Sequence, residues 1–165
     1  MAQKKTDSLN LPVKDGDIYI ERIEDINGVT KDQIFERAKK WFVRSFNDSK
    51  EVVKNENKQE GTIMGVAILP ISTKDFVSIS YNVKFVVEFT ARDGKYRVRF
   101  QDFSRRVLDS EYAEYRSLTK PWKDGKINKV ITGWEDDYKF YNKLLPALDV
   151  ILVDLKKSLA KNDDF

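Results

Sequence analysis

The sequence predicts an α+β domain in which a curved antiparallel sheet of about five strands carries two helices on one face. Three observations predict it. Between Tyr81 and Phe103, apolar and polar residues alternate on either side of Asp93-Gly94, the pattern of two long strands joined by a two-residue turn. Two other segments repeat apolar residues at three- and four-residue intervals, the period of an amphipathic helix. Finally, 41% of the 165 residues are hydrophobic and 12% aromatic, which suits a chain that buries a core and not a disordered tail.

Residues 1–16 are polar, contain Pro12 and Asp15-Gly16, and read as a flexible lead-in to a single domain over 17–165. Ile18, Ile20 and Ile23 then alternate with polar neighbours as a first strand. Asn27-Gly28 marks a turn. Thr30 and Gln33 have the spacing of a capping box, in which each side chain satisfies a free amide of the other residue. Behind them Ile34, Phe35, Ala38, Trp41, Phe42 and Phe46 line one face of a helix over about residues 31–46. Trp41 reads as a core anchor whose indole N–H finds a partner at the rim.

From Val52-Val53 onward the period is two. The charged stretch from Lys54 to Glu60 belongs at a sheet edge or hairpin tip. Ile63, Gly65, Ala67, Leu69 and Ile71 share one side of the next strand, while Met64, Val66 and Ile68 share the other. Pro70 suits a strand end whose amide side is unpaired.

The central hairpin can be tested against polarity. A two-residue turn at Asp93-Gly94, read as type I′, pairs positions whose numbers sum to 187. Phe89 then faces Val98, Val87 faces Phe100 and Ala91 faces Tyr96, all on one side; Glu88 faces Arg99 and Thr90 faces Arg97 on the other. Apolar meets apolar and acid meets base, so the register is fixed by the pattern itself.

Residues 104–133 show no clean period beyond a short strand in Lys126 to Ile131. After them Trp134, Tyr138, Tyr141, Leu145, Leu148, Leu152, Leu155 and Leu159 line a long helix. Pro146 within it predicts a kink or a division into two.

Composition excludes much chemistry. The chain has no His and no Cys. That removes disulfides, thiolate nucleophiles, Ser–His–Asp triads and His- or Cys-ligated metals. Thirty Lys and Arg against 27 Asp and Glu leave a net charge of +3, and the two signs alternate along the chain. A nucleic-acid interface needs a local concentration of base. No apolar run approaches the ~20 residues of a membrane span.

The strand Ile18-Tyr19-Ile20, the segment from Gly28 to Ile34 opening a helix with Trp41, the run Phe46 to Lys50, the run Glu60 to Gly65, and the hairpin Asp93-Gly94-Lys95-Tyr96-Arg97 occur in the order seen in a family of bacterial domains of unknown function described as having a TBP-like fold. The chain resembles that family over about residues 17–103. The resemblance implies the fold and a periplasmic or cell-envelope location, with the signal peptide absent from this chain. It implies no catalytic residues and no cofactor. TATA-binding protein reads DNA with Phe wedges projecting from its sheet. Here the sheet's Phe residues fall on the side assigned to the core, which argues against that use.

The candidate site residues are Tyr112, Tyr115 and Trp122 on the irregular segment, with Lys84, Arg97 and Arg99 on the outer side of the hairpin. Aromatics on irregular segments are characteristic of binding surfaces. Met64, Val66, Ile68 and Val86 also point outward, so that segment is expected to cover them, ahead of a homodimer contact. Glu135, Asp136 and Asp137 suit a helix N-terminus better than a metal site, because adjacent helical residues diverge. Asp109, Glu111 and Glu114 fare no better. The expected function is therefore a non-enzymatic binding or interaction module of an exported bacterial protein, monomeric or weakly dimeric, for a protein or cell-envelope ligand. A nucleic-acid module and a carboxylate-based hydrolase, which needs two converging acids, are the alternatives.

Overall fold

The two-residue alternation in the middle of the chain builds one antiparallel sheet, seen in a computed structural model that describes residues 8–46, 53–73, 79–108, 112–118, 126–128 and 135–161. Its strands are β4 (Ile20–Asp25), β5 (Val53–Asn57), β6 (Thr62–Thr73), β7 (Ile79–Arg92), β8 (Lys95–Val107) and the two-residue β9 (Arg116–Ser117). They lie in the order β4-β8-β7-β6-β5, with β9 beside β8 beyond the end of β4. The sheet thus has six strands where about five were expected, the addition being β9. As expected, the charged β5 is an edge, and Pro70 falls beyond the part of β6 that β5 covers.

The predicted register holds: Val87 pairs Phe100, Glu88 pairs Arg99, Phe89 pairs Val98, Thr90 pairs Arg97 and Ala91 pairs Tyr96. The turn type differs. Only Gly94 is left-handed (φ 72°), whereas type I′ needs positive φ at both central residues. Outside contacts select this turn: Gly94 donates to the Val29 carbonyl at 2.9 Å and accepts from the Ile26 amide at 2.7 Å. The double-positive pattern occurs instead at Asp15 (φ 52°) and Gly16 (φ 82°). They turn β2 (Val13–Lys14) back onto β3 (Asp17–Ile18). Residues 8–16, read as lead-in, also carry β1 (Ser8–Asn10), which pairs with β10 (Lys126–Asn128), and the core residue Leu11.

The register then shifts by one. Val86 pairs Gln101, but Lys84 pairs Ser104, so Asp102 and Phe103 together oppose Phe85. Asp102 takes the left-handed conformation (φ 56°) that a bulge of this kind requires. With unbroken alternation Phe103 would share the outer face with Arg97 and Arg99. The bulge instead turns it inward, where its ring stacks on Phe85 at 5.0 Å.

Helix α1 (Lys31–Ser45) and helix α2 (Glu135–Ala160) pack on the inner face. The α1 stripe is as read: Ile34, Phe35, Ala38, Trp41 and Phe42 are buried. Thr30 and Gln33 form the reciprocal capping box, with bonds of 3.2 and 3.0 Å. Trp41 donates its indole N–H to Asp154 at 2.9 Å, as a rim-partnered anchor should. Arg37, absent from the predicted stripe, is buried and donates to the Leu159 carbonyl at 2.8 Å, satisfying an acceptor at the α2 C-terminus.

Helix α2 differs in two respects from its sequence reading. Its buried stripe includes Phe140 and Leu144, while Tyr138 and Leu145 are only half-buried. Trp134 lies outside the described residues. The division that Pro146 allowed for also does not occur: one helix runs through it, and Pro146 faces solvent, where water can satisfy the carbonyl left without an N–H donor. Ile23 is a further correction at 63% exposure: Ile20 faces the core, so the alternation sends Ile23 outward. Among the described residues, no helix is long and apolar enough to cross a membrane.

Three turns meet at one corner. The Asp93 carboxylate accepts from the Lys31 amide at 2.7 Å, capping the start of α1 from the hairpin. Lys31 Nζ donates to the Gln59 carbonyl at 2.7 Å, and Gly61 accepts from the Ala91 amide at 2.8 Å. Gly61 has φ 73°, and a Cβ there would lie 2.6 Å from the Ala91 carbonyl oxygen. Gly28 has a similar φ of 78° with nothing within 4 Å.

Loss of the cap in Asp93→Ala is expected to cost about 1–2 kcal/mol in urea unfolding; a change under about 0.3 kcal/mol would remove the corner as a determinant of stability. Gly61→Ala is expected to destabilise more than Gly28→Ala. The strain of a left-handed Ala, about 1 kcal/mol, is common to both, and only Gly61 adds a clash. Equal losses would show that the contact with Ala91 relaxes freely.

Candidate functional site

Because α1 and α2 occupy the inner face, the residues of opposite parity form the outer face, where cross-strand pairing sets them in rows. Next to Asp25, Lys95 and Arg92 at the hairpin turn, the first full row runs Ile23, Arg97, Thr90, Thr62. The next runs Glu21, Arg99, Glu88, Met64. Gln101, Val86 and Val66 follow. Beyond the bulge come Ser117, Ser104, Lys84 and Ile68, and then Arg106, Asn82 and Pro70.

The second row is an ion-paired lattice. Arg99 Nε donates to Glu21 at 2.7 Å, its Nη1 lies 3.8 Å from Glu88, and the Tyr19 hydroxyl donates to Glu21 at 3.1 Å. The hydrogen bond from Arg99, aided by that from Tyr19, holds the Glu21 carboxyl below the usual carboxylate range; the same bond raises the Arg99 guanidinium. Arg97 has no ion pair among the described residues. With Ile23, Thr90, Arg92, Lys95 and Tyr96 it borders a shallow depression of about 140 Å³.

At the far end Lys84 Nζ lies 4.3 Å from the Tyr115 ring centre, and the Arg106 guanidinium lies 5.5 Å from the same ring. Neither cation has a carboxylate partner among the described residues, and Arg106 Nε is buried without a hydrogen-bond acceptor. On the inner side, Arg105 instead covers the Tyr81 and Phe140 rings at 4.7 and 4.4 Å.

The predicted site residues therefore separate. Lys84 and Tyr115 come together; Arg97 and Arg99 lie in rows about 13–20 Å further along β7. Tyr112 is 93% exposed, and Trp122 lies outside the described residues. The described part of the irregular segment reaches Lys84 without covering Met64 and Ile68, which remain 38% and 44% exposed, while Val66 and Val86 are half-buried. Sequence reasoning missed Arg106. Its signal is the Asp102 bulge, which reverses the parity of β8 and sends Arg106 outward beside Lys84. Among the described residues, no three Asp or Glu side chains gather where a metal ion could be held.

Two solved structures share this fold. A DUF4468 family protein from Bacteroides ovatus superposes with a TM-score of 0.73 at 18% identity, covering 94% of this chain and 93% of its own. A TBP-like protein from Parabacteroides distasonis gives 0.71 at 18% identity, covering 92% of this chain and 98% of its own. At such identities the likeness concerns the fold. No curated protein matches the chain. The matched family profile extends over residues 19–106, more than half the chain, from Tyr19 at the head of β4 to Arg106 near the end of β8; the chain belongs to DUF4468, a domain of unknown function with a TBP-like fold.

Proposed function

We propose that the domain is a non-enzymatic binding module that engages a protein partner through the outer face of its sheet, as part of an exported bacterial protein. The carrying observation is that both helices cover the inner face, whereas the described residues leave Ile23, Met64 and Ile68 exposed on the outer one. A sheet face mixing apolar and charged side chains has the composition of a non-obligate protein interface.

The acids support a non-catalytic reading. Glu21 pairs with Arg99, Glu24 with Lys156, Glu36 with Lys58, Glu56 with Lys39 and Asp154 with Arg44, at 2.7–3.1 Å. Hydrogen bonds from their basic partners lower both Glu21 and Glu36. A general-acid carboxyl at neutral pH needs the opposite shift. Against a DNA reader of the TATA-binding kind, Phe85, Phe89, Phe100 and Phe103 are all buried on the inner face.

A photo-crosslinking side chain placed at Ile68 is expected to give a discrete protein adduct in the producing cell, abolished by a neighbouring Met64→Asp. The same probe at Val150, exposed on α2, is expected to give none. Equal adducts at both positions, or none at either, count against the reading, and an adduct of twice the chain mass assigns the face to self-association. Fractionation of the same cells tests the export: recovery in the cytosolic fraction alone counts against it.

Carboxyl chemical shifts of Glu21 followed against pH test the non-catalytic part. With its folded value below the ordinary 4.5, Glu21 contributes stability above that range, and the contribution is lost as pH falls through the depressed folded value. Arg99→Gln is expected to return the midpoint to the ordinary range. A native midpoint above it would reopen acid–base chemistry.

A further inference from the structure

At the far end of the outer face two basic side chains meet on one aromatic ring, with no ion pair to an acid among the described residues. Lys84 and Arg106 share one ring, that of Tyr115, at 4.3 and 5.5 Å. Like charges gathered on one ring repel, and no described carboxylate lies within 4 Å of either. On the β8 side of β7 their cross-strand neighbours are hydrogen-bonding groups: Ser104 beside Lys84, with Ser117 beyond it, and Asn82 beside Arg106. Contrast the Arg99 row, where Glu21 and Glu88 flank the single guanidinium.

The geometry is also built by the backbone. Without the register shift at Asp102, Ser104 and Arg106 would face inward, and the outer face here would present Phe103 and Arg105. A non-glycine residue is held at φ 56° to make the shift, and the buried Nε of Arg106 lacks an acceptor.

We infer that Lys84, Arg106 and Tyr115, with the hydroxyl of Ser104 and the amide of Asn82, form a site for a phosphoryl or sulfuryl oxyanion. The two cations supply charge, the guanidinium, hydroxyl and amide supply directed donors, and Tyr115 holds the cations in place. The inference rests on the outer face being the binding face and names the chemistry that one end of it recognises.

The test is a two-dimensional NMR titration of the whole chain with inorganic phosphate and, separately, sulfate, at constant ionic strength. Saturable shifts confined to residues 82–84, 104–106 and 115 are the expected result. Affinity is expected to fall by about tenfold in Lys84→Met and in Arg106→Gln, the loss of one charged hydrogen-bond donor. Tyr115→Phe, which keeps the ring, is expected to bind within about threefold of the native chain, and Arg106→Lys, which keeps the charge but not the fork of donors, to fall between the native chain and Arg106→Gln. Asp102→Gly preserves the left-handed bulge and is expected to bind as the native chain does, while its spectrum verifies the fold.

Shifts that rise linearly, that spread equally to Arg92, Lys95 and Arg97, or that persist unchanged in both charge-removing variants would overturn the site. Tighter binding of a duplex DNA oligomer that survives Lys84→Met would overturn it too, since the outer face would then act as a diffuse polyelectrolyte surface. The titration uses no protein partner, and the Ile68 adduct uses no anion. Failure of the anion site and failure of the binding face are therefore told apart.

Discussion

The structure depends on one corner, where the hairpin caps a helix that is remote from it in sequence. Asp93 accepts the Lys31 amide across 62 residues, supplying an acceptor that the first turn of α1 lacks and a negative charge at its N-terminus. Gly94 exchanges hydrogen bonds with Ile26 and Val29, so the loop entering α1 is tied to the hairpin tip from both sides. Gly61 admits the Ala91 backbone where any side chain would intrude. These bonds fix where α1 starts, and hence where Phe35, Trp41 and Phe42 meet the sheet. The segments that resemble the family, around Gly28, Gly61 and Asp93-Gly94, are the ones that meet here. In this chain those segments seat a helix on a sheet.

Local features of this fold were legible in the sequence, and contacts between distant segments were not. The capping box at Thr30 and the stripe from Ile34 to Phe42 involve residues three or four apart, and the hairpin pairs lie within 14 positions of each other. Each can be checked against its neighbours' polarity. The pairing of β1 with β10 joins segments more than 110 residues apart, with no alternation strong enough to announce it. Leu11 looked like part of a polar lead-in because its core partners are distant. On α2 the misreading was angular: Phe140 and Leu144 neighbour Tyr141 and Leu148 on the helix surface, and Tyr138 and Leu145 lie one step further round. The division allowed for at Pro146 does not occur, because the cost of the proline depends on whether the orphaned carbonyl reaches water, which sequence alone does not show.

The candidate site was half legible for a related reason. Lys84 and Tyr115 were singled out because a basic strand face and an aromatic irregular segment are each visible in composition, and they meet. Arg106 was hidden by a single residue. Up to Gln101, paired numbers sum to 187; after Asp102 they sum to 188, and every side chain beyond changes face. Asp gives no warning comparable to a glycine, although its short polar side chain tolerates left-handed φ better than most.

That shift divides the outer face into halves of different character. Before it, Arg99 is held by Glu21 and Glu88, and the charges cancel within the sheet. Past it, the parity that brings Phe103 onto Phe85 necessarily sends Arg106 outward to Lys84. Core packing and surface chemistry are therefore set by the same backbone residue: burying a third Phe beside Phe85 and Phe100 obliges the strand to present a second base beside Tyr115. Meanwhile the inner face is closed to ligands by the seam between the helices, where Arg37 satisfies the end of α2 and Asp154 receives both Trp41 and Arg44. Opening that seam would give up these bonds, at a net cost of about 1.5–3 kcal/mol for each one to a charged group. The helices thus leave the outer face as the open side of the sheet, with Ile68 exposed and Lys84 and Arg106 set around the Tyr115 ring.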